Sequence, residues 1–235
     1  MKKIAIMMIL SAVMLHASAQ SFRVGAKFAY NSTWMFNNNI SDRGDDVNYK
    51  SAFGTSFGLT GTYHFTDETG ISMDVLFATH NAKYQSKDET MQLTEKLTYT
   101  DVPVLLRLGP QGAGGYAEIG PMISFLSGAK EDFSLAGIGH TGQDFKNDFT
   151  SMTISGIVGF GYDFEVNDNI LINAGLRFGY GFSDGTKKFT EDELTSTDRS
   201  IVSGLAHYDS NNDFKYESSH RVFGGINVGI IYKPR

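Results

Sequence analysis

The stretch "NILINAGLRFGYGFSD", Asn169 to Asp184, decides the fold. Every even position from Ile170 to Phe182 is apolar (Ile170, Ile172, Ala174, Leu176, Phe178, Tyr180, Phe182), while the odd ones include Asn173, Gly175, Arg177, Gly179 and Gly181. A period of two sends alternate side chains to opposite faces of a strand, so one face here is apolar and the other small or polar. A face of that kind touches a protein core or lipid, and the remaining sequence distinguishes the two.

The same template recurs until eight strands are counted. Phe22 to Asn31 sets Phe22, Val24, Ala26, Phe28 and Tyr30 against Arg23, Gly25 and Lys27. "FGTSFGLTGTYHF" follows from Phe53 to Phe65, then a strand around Ile71, Met73, Val75 and Phe77 with Asp74 and His80 opposite. "YTDVPVLLRLG" places Asp101 and Arg107 on the second face and carries Pro103, which fits only a bulge or a poorly paired position. The fifth strand sets Ile119, Ile123 and Phe125 against Glu118, Ser124 and Gly128; the sixth, "SMTISGIVGFGYDFEV", sets Val158, Phe160, Tyr162 and Phe164 against Gly159, Asp163 and Glu165. The opening stretch is the seventh, and the eighth ends at Tyr232. Connections after the second, fourth and sixth strands are short and rich in turn formers: "TDET", "PQGAG" and "ND". Those after the first, third, fifth and seventh are long and polar, over residues 32–50, 82–92, 131–150 and 184–219. Strict alternation puts the long loops at one end and both termini at the other.

The second face of these strands is Gly, Ser, Thr and Ala with about one charge per strand. That suits the interior of a small barrel, where eight strands leave room only for side chains, better than the solvated outer face of a soluble barrel. Aromatics on the apolar face gather in two belts, as they do at the two water interfaces of a membrane barrel. Phe22, Tyr63, Phe65, Phe164 and Tyr232 lie near the termini, and Tyr30, Trp34, Phe53, Phe125, Tyr180 and Phe182 near the long loops. The chain begins "MKKIAIMMILSAVMLHASAQ", in which Lys2 and Lys3, an apolar run and Ala17-Ser18-Ala19 read as a cleaved secretory signal over residues 1–19. The expectation is an all-β, eight-stranded antiparallel up-and-down transmembrane β-barrel over residues 20–235, with no cofactor.

Several function classes drop out. The sequence has no cysteine, hence no disulfide framework, thiolate metal site or Cys nucleophile. Without Lys2 and Lys3 it carries 18 basic against 26 acidic residues, which opposes nucleic-acid binding.

The motifs "VGAKFAYNST" (Val24 to Thr33), "YTDVPVLLRLG" and "GGYAEIGPMISFLSGAK" (Gly114 to Lys130), with a final strand ending in Tyr232, resemble the PorT-like outer-membrane β-barrel proteins, relatives of the OmpA-type and OmpX-type barrels. The resemblance spans the mature chain. It implies eight strands, periplasmic termini, extracellular long loops and an outer-membrane address facing lipid and lipopolysaccharide; the family's namesake belongs to a protein secretion apparatus.

Candidate chemistry starts with the interior charges: Arg23, Lys27, Arg107, Lys130 and Arg177 against Asp74, Asp101, Glu118, Asp163 and Glu165. Buried charges must find partners, so a paired network filling the lumen is expected ahead of an ion path. His80, His140, His207 and His220 lie in or near the long loops with Ser203, Ser210, Ser218 and Asp209, but no serine sits in a G-x-S-x-G elbow and no catalytic triad is assigned. "GIGHTG" (Gly137 to Gly142) matches a dinucleotide fingerprint in letters only, lacking the strand-to-helix context. "DSNNDFKYE" (Asp209 to Glu217) starts like a calcium loop, but Phe214 and His220 replace the required Gly and Glu. No catalytic, cofactor-binding or metal residue is assigned. The expected role is non-enzymatic, structural or interactive, with an envelope protein partner reached through loops 131–150 and 184–219; small-solute transport and a lipid-modifying activity are the alternatives.

Overall fold

The computed structural model describes residues 22–196 and 198–234; the signal segment read over 1–19 lies outside them. Ten strands run in chain order: β1 (Phe22–Phe36), β2 (Asn48–Lys50), β3 (Ala52–His64), β4 (Thr69–Gln85), β5 (Met91–Leu108), β6 (Gly114–Leu135), β7 (Ile138–Asp144), β8 (Met152–Asn167), β9 (Ile170–Gly181) and β10 (His220–Tyr232). Three short α-helices sit among them in the described residues, α1 (Asn38–Ser41), α2 (Glu191–Ser196) and α3 (Ile201–His207), with single 3-10 turns at Gly44–Asp46 and Lys146–Asp148. Strands β1, β3, β4, β5, β6, β8, β9 and β10 pair antiparallel in that order, and β10 returns to β1 through a register running from Val24↔Tyr232 to Phe36↔His220. The sheet therefore closes, as the alternation requires. β2 and β7 are additions, pairing with the outer parts of β4 and β6.

Alternation decides what each side chain meets. Outward residues such as Phe57, Leu59, Phe77, Phe160, Phe178 and Ile230 are exposed, and their inward neighbours are buried. An exposed apolar wall right round a barrel is what lipid requires and water forbids.

The connections expected over 32–50, 82–92 and 131–150 are in good part strand. β4, β5 and β6 continue past the apolar wall, and along that continuation their faces exchange character. On β4 the outward residues Ile71, Met73, Val75 and Phe77 give way to Thr79, Asn81, Lys83 and Gln85, while the buried face passes from Ser72 and Asp74 to Ala82 and Tyr84. Below, the strand is polar inside and apolar outside; above, the reverse, as in a water-soluble sheet. A bulge on β6 shifts the parity further. The β5–β6 register steps from Tyr99↔Leu126 to Thr98↔Gly128, leaving Ser127 as the extra residue, so Ala129 and Glu131 face inward and Lys130 outward. Lys130 is thus exposed, not an interior charge. Beside Pro103 the β4–β5 ladder lapses between Met73↔Val104 and Leu76↔Asp101, the poor pairing its missing N–H demands.

Inside the outer extension lies an apolar cluster: Met35, Ile40, Tyr84, Leu93, Leu97, Tyr99, Leu126, Phe145, Phe149 and Val202, among others. It draws on the first, second and third long connections and on α3, so these segments form one packed cap across the barrel mouth. A thin apolar layer of Leu105, Met122, Ile157 and Phe223 crosses the lumen below it.

Candidate functional site

The candidate site is the lumen with its cap. Odd positions of β1, β5, β8 and β9 and even positions of β4 and β6 point inward, bringing seven of the expected charges together. Asp163 accepts from Arg23 Nη1 at 3.1 Å, from Arg107 Nη2 at 2.6 Å and from Asn173 at 2.7 Å. Arg177 donates through Nη1 to Asp74 at 2.6 Å and through Nε to Glu118 at 2.5 Å, and Lys27 lies 3.4 Å from Asp74. All seven are buried. Each carboxylate thus has a cation and each cation a carboxylate, the condition under which buried charge is tolerated. Asp101 stands apart, one level higher, accepting from His80 Nε2 at 2.7 Å.

Glu165 does not join. Parity alone points it inward, but it is exposed, lying past Asp163 where the β8–β9 register breaks between Glu165 and Asn167 next to the turn and solvent enters. Three members escaped notice in the sequence. His64 accepts from Arg23 at 2.7 Å, and Asn173 bridges Tyr116 and Asp163. Arg221 donates to Ser124 and Thr153, both at 2.9 Å, and lies 4.1 Å above the Tyr99 ring. Parity signals Arg221, since Val222 and Ile226 outward put 221 inward.

Little space remains between these groups. Cavities of about 30 Å³, beside His80, Asp101 and Arg177, and of about 10 Å³, beside Arg23, Arg107 and Asp163, lie in the lumen. Each holds roughly one water molecule.

The cap closes the mouth through buried polar anchors. Asn37 caps α1 through Asn39 N and donates to Glu217 O at 2.6 Å and to Ser219 Oγ at 3.1 Å. Asn39 donates to Ala206 O and Lys215 O, so the first connection grips the last. At the start of α3, Asp148 accepts from Ser200 N and Arg199, and Glu131 accepts from Ile201 N at 2.8 Å. His207, wholly buried, donates through Nδ1 to Ser203 O and accepts from Phe189 N through Nε2, against the Tyr216 ring at 4.5 Å. Those bonds fix a neutral imidazole, and burial pushes its pKa down. Both ring nitrogens are thus taken up by backbone atoms. His80 is likewise in the lumen rather than in a loop, His140 donates to Glu131, and His220 is bonded to Gly181 O. "GIGHTG" forms β7 and its turn, a hairpin arm followed only by a single 3-10 turn over Lys146–Asp148 that no strand-to-helix phosphate loop precedes. Asp209 spends its carboxylate on the amides of Asn211 and Asp213, an ordinary turn.

The aromatics expected in belts lie on the outer wall. Tyr30 and Phe53 stack at 5.4 Å and Tyr180 meets Phe182 at 5.7 Å on the cap side, where Phe125 is exposed and Trp34 half-buried. At the other end Tyr63 meets Phe65 at 5.9 Å, Phe164 and Tyr232 are exposed and Phe22 half-buried. An apolar depression of about 720 Å³ lies in this wall around Pro121, Gly156 and Tyr180. On the cap a hollow of about 500 Å³ is lined by Arg43, Leu194, Arg199, Ile201, Leu205 and Tyr208.

Residues 18–187 match the family described as outer membrane protein beta-barrel domain. No curated protein matches the chain. Among solved structures it is similar to the outer membrane protein OprG from Pseudomonas aeruginosa, at 16% identity over 92% of this chain and 96% of that one, TM-score 0.41. Neisserial surface protein A also has 16% identity, over 92% and 97%, TM-score 0.38, and the outer membrane protease OmpT from Escherichia coli has 6% over 92% and 97%, TM-score 0.38. With most of the chain matched and eight strands closed behind an apolar wall, the chain belongs to the outer membrane β-barrel domain family and is an integral outer-membrane protein.

Proposed function

We propose that this barrel is a non-enzymatic interaction protein of the cell envelope, with its termini in the periplasm and its cap outside the cell. The observation that carries this reading is the double closure of the lumen. The ion network occupies the membrane-level interior, and the apolar cap covers the mouth. Pores conduct through a continuous water path, and lumen cavities the size of single waters oppose one. Catalysis needs a nucleophile, base or activated water reachable by substrate, whereas His207 and Asp148 are buried and engaged in holding the cap, and the Ser203 hydroxyl is buried out of substrate's reach.

What the molecule offers a partner is then the outer surface of the cap, chiefly residues 131–150 and 184–219, presented on a rigid scaffold. The hollow beside α2 and α3, where Arg43, Arg199, Asp198 and Asn212 join Leu194, Ile201 and Leu205, has the size and mixed chemistry of a recognition pocket. The aromatic belts serve as the two interfacial girdles, in contact with phospholipid on one side and lipopolysaccharide on the other. An assembly such as a protein secretion complex is the kind of partner the PorT-like motifs suggest. Cross-linking in intact outer membranes, with affinity purification and mass spectrometry, tests it. A reproducible protein cross-linked to residues 131–150 or 184–219 is expected; recovery of the isolated monomer alone contradicts the reading.

A further inference from the structure

Glu95 on β5 and Glu131 on β6 are direct register partners, and both are 0% exposed. Opposed residues of an antiparallel pair hold their Cβ atoms about 4.5–5.5 Å apart, so the two carboxyl groups meet. Glu131 is fully engaged: one oxygen accepts from His140 Nε2 at 2.9 Å and the other from Ile201 N at 2.8 Å. Neither oxygen of Glu95 finds a donor among the described residues. Its surroundings include Leu93, Leu97 and Ala129 of the apolar cluster.

Among the described residues no Lys or Arg compensates the pair. On the neighbouring positions Lys96 faces outward and holds Asp132, and Arg199 is committed to Asp148. Tyr84 from β4 adds a neutral hydroxyl that is already donating to Met35 O. The charges that act on Glu95 are therefore Glu131 and Asp148 and, from the outer face, Asp132, all of its own sign, with His140 beyond Glu131. Two ionised carboxylates in contact in an apolar site are untenable, and the arrangement that satisfies Glu95 is a proton on it, donated to Glu131.

We propose that Glu95 and Glu131 hold one proton between them and that this acid pair latches α3 over the barrel mouth, the latch opening when base removes the proton. Glu131 is the hinge of the coupling, because it alone touches Glu95, His140 of β7 and the first amide of α3. A second negative charge beside it drives the carboxylates apart and withdraws Glu131 from Ile201 N. The helix has seven residues, so its hold depends on such contacts and it opens before the barrel does.

The sign is fixed by the direction of titration. Burial first, then the bond to and charge of Glu131, push the Glu95 carboxyl well above the ordinary carboxylate range. A carboxyl raised on folding stabilises fully below its unfolded value near 4.5 and loses that contribution as pH rises through the folded value. Alkaline solution therefore opens the latch.

Hydrogen exchange of the α3 amides in the full chain, folded in detergent micelles, tests this from about pH 6 to about pH 10, each wild-type rate divided by that of Glu95→Gln at the same pH so that intrinsic exchange cancels. The expected ratio is lowest at the acid end, climbs by up to roughly tenfold per pH unit while the closed pair keeps a proton that the opened carboxyl has lost, and levels off above the folded titration point. Should Glu95→Gln not fold, Glu131→Gln serves: without the neighbouring charge the rise persists but levels off at a lower pH. A ratio that stays flat over the whole range, or a Glu131→Gln profile superimposable on wild type, overturns the latch.

Discussion

Two acidic residues on the same strand, Asp163 and Glu165, have opposite burdens. Asp163 answers Arg23, Arg107 and Asn173 inside the lumen, and Glu165 is exposed near the turn. Removing one partner of a buried ion pair leaves the others charged and stranded, at about 3–5 kcal/mol. Asp163→Ala is therefore expected to lower stability by about that amount in urea unfolding of the micelle-folded barrel, while Glu165→Ala stays within about 0.5 kcal/mol of wild type. His207 gives a second test at this scale. Its imidazole is neutral and its pKa lowered chiefly by burial, so its contribution is present above the unfolded value of 6.5 and is lost as pH falls below it. Acidification should expose residues 184–219 to protease progressively below about pH 6.5, and His207→Gln should blunt that dependence. The acid limb from His207 and the alkaline limb from Glu95 oppose each other, giving the cap its greatest stability between them.

At the scale of elements, β6 carries the most information per residue. The single extra residue Ser127 decides that Glu131 faces in and Lys130 out. Deleting Ser127 should reverse every side chain beyond it, turning Lys130 and Asp132 into the apolar cluster, because a one-residue slip exchanges the faces of a strand. The expected outcome is a barrel that keeps its folded electrophoretic mobility and loses exchange protection in β7 and α3; retained protection there would contradict the register. The same bulge explains what could be read in the sequence. The eight wall segments were legible because lipid outside and a narrow lumen inside impose a strict period of two from Phe22 to Tyr232. The strand extensions were not, since beyond Phe77 on β4 apolar residues move to the inner face and polar ones to the outer, and the two patterns placed end to end look like a polar loop. Glu95 and Glu131 fall in or beside those extensions, which hid their pairing, and His64 and Arg221 fall at strand ends where parity is the sole clue.

For the whole molecule, the closed sheet, the lumen network and the cap are what support the proposal of a barrel that presents surfaces in place of a pore. Its interior is divided among ion pairs at the level of the apolar wall, the thin layer of Leu105, Met122, Ile157 and Phe223, and the cap cluster above. Opening the cap alone leaves the two lower layers in place, so a latch-released state is also expected to be closed to ions. Single-channel recording of the purified full chain in planar bilayers, at neutral and at alkaline pH, addresses this most directly. A baseline without porin-sized steps is expected at either pH; stable conductance steps of porin size from the wild-type barrel would contradict a sealed lumen.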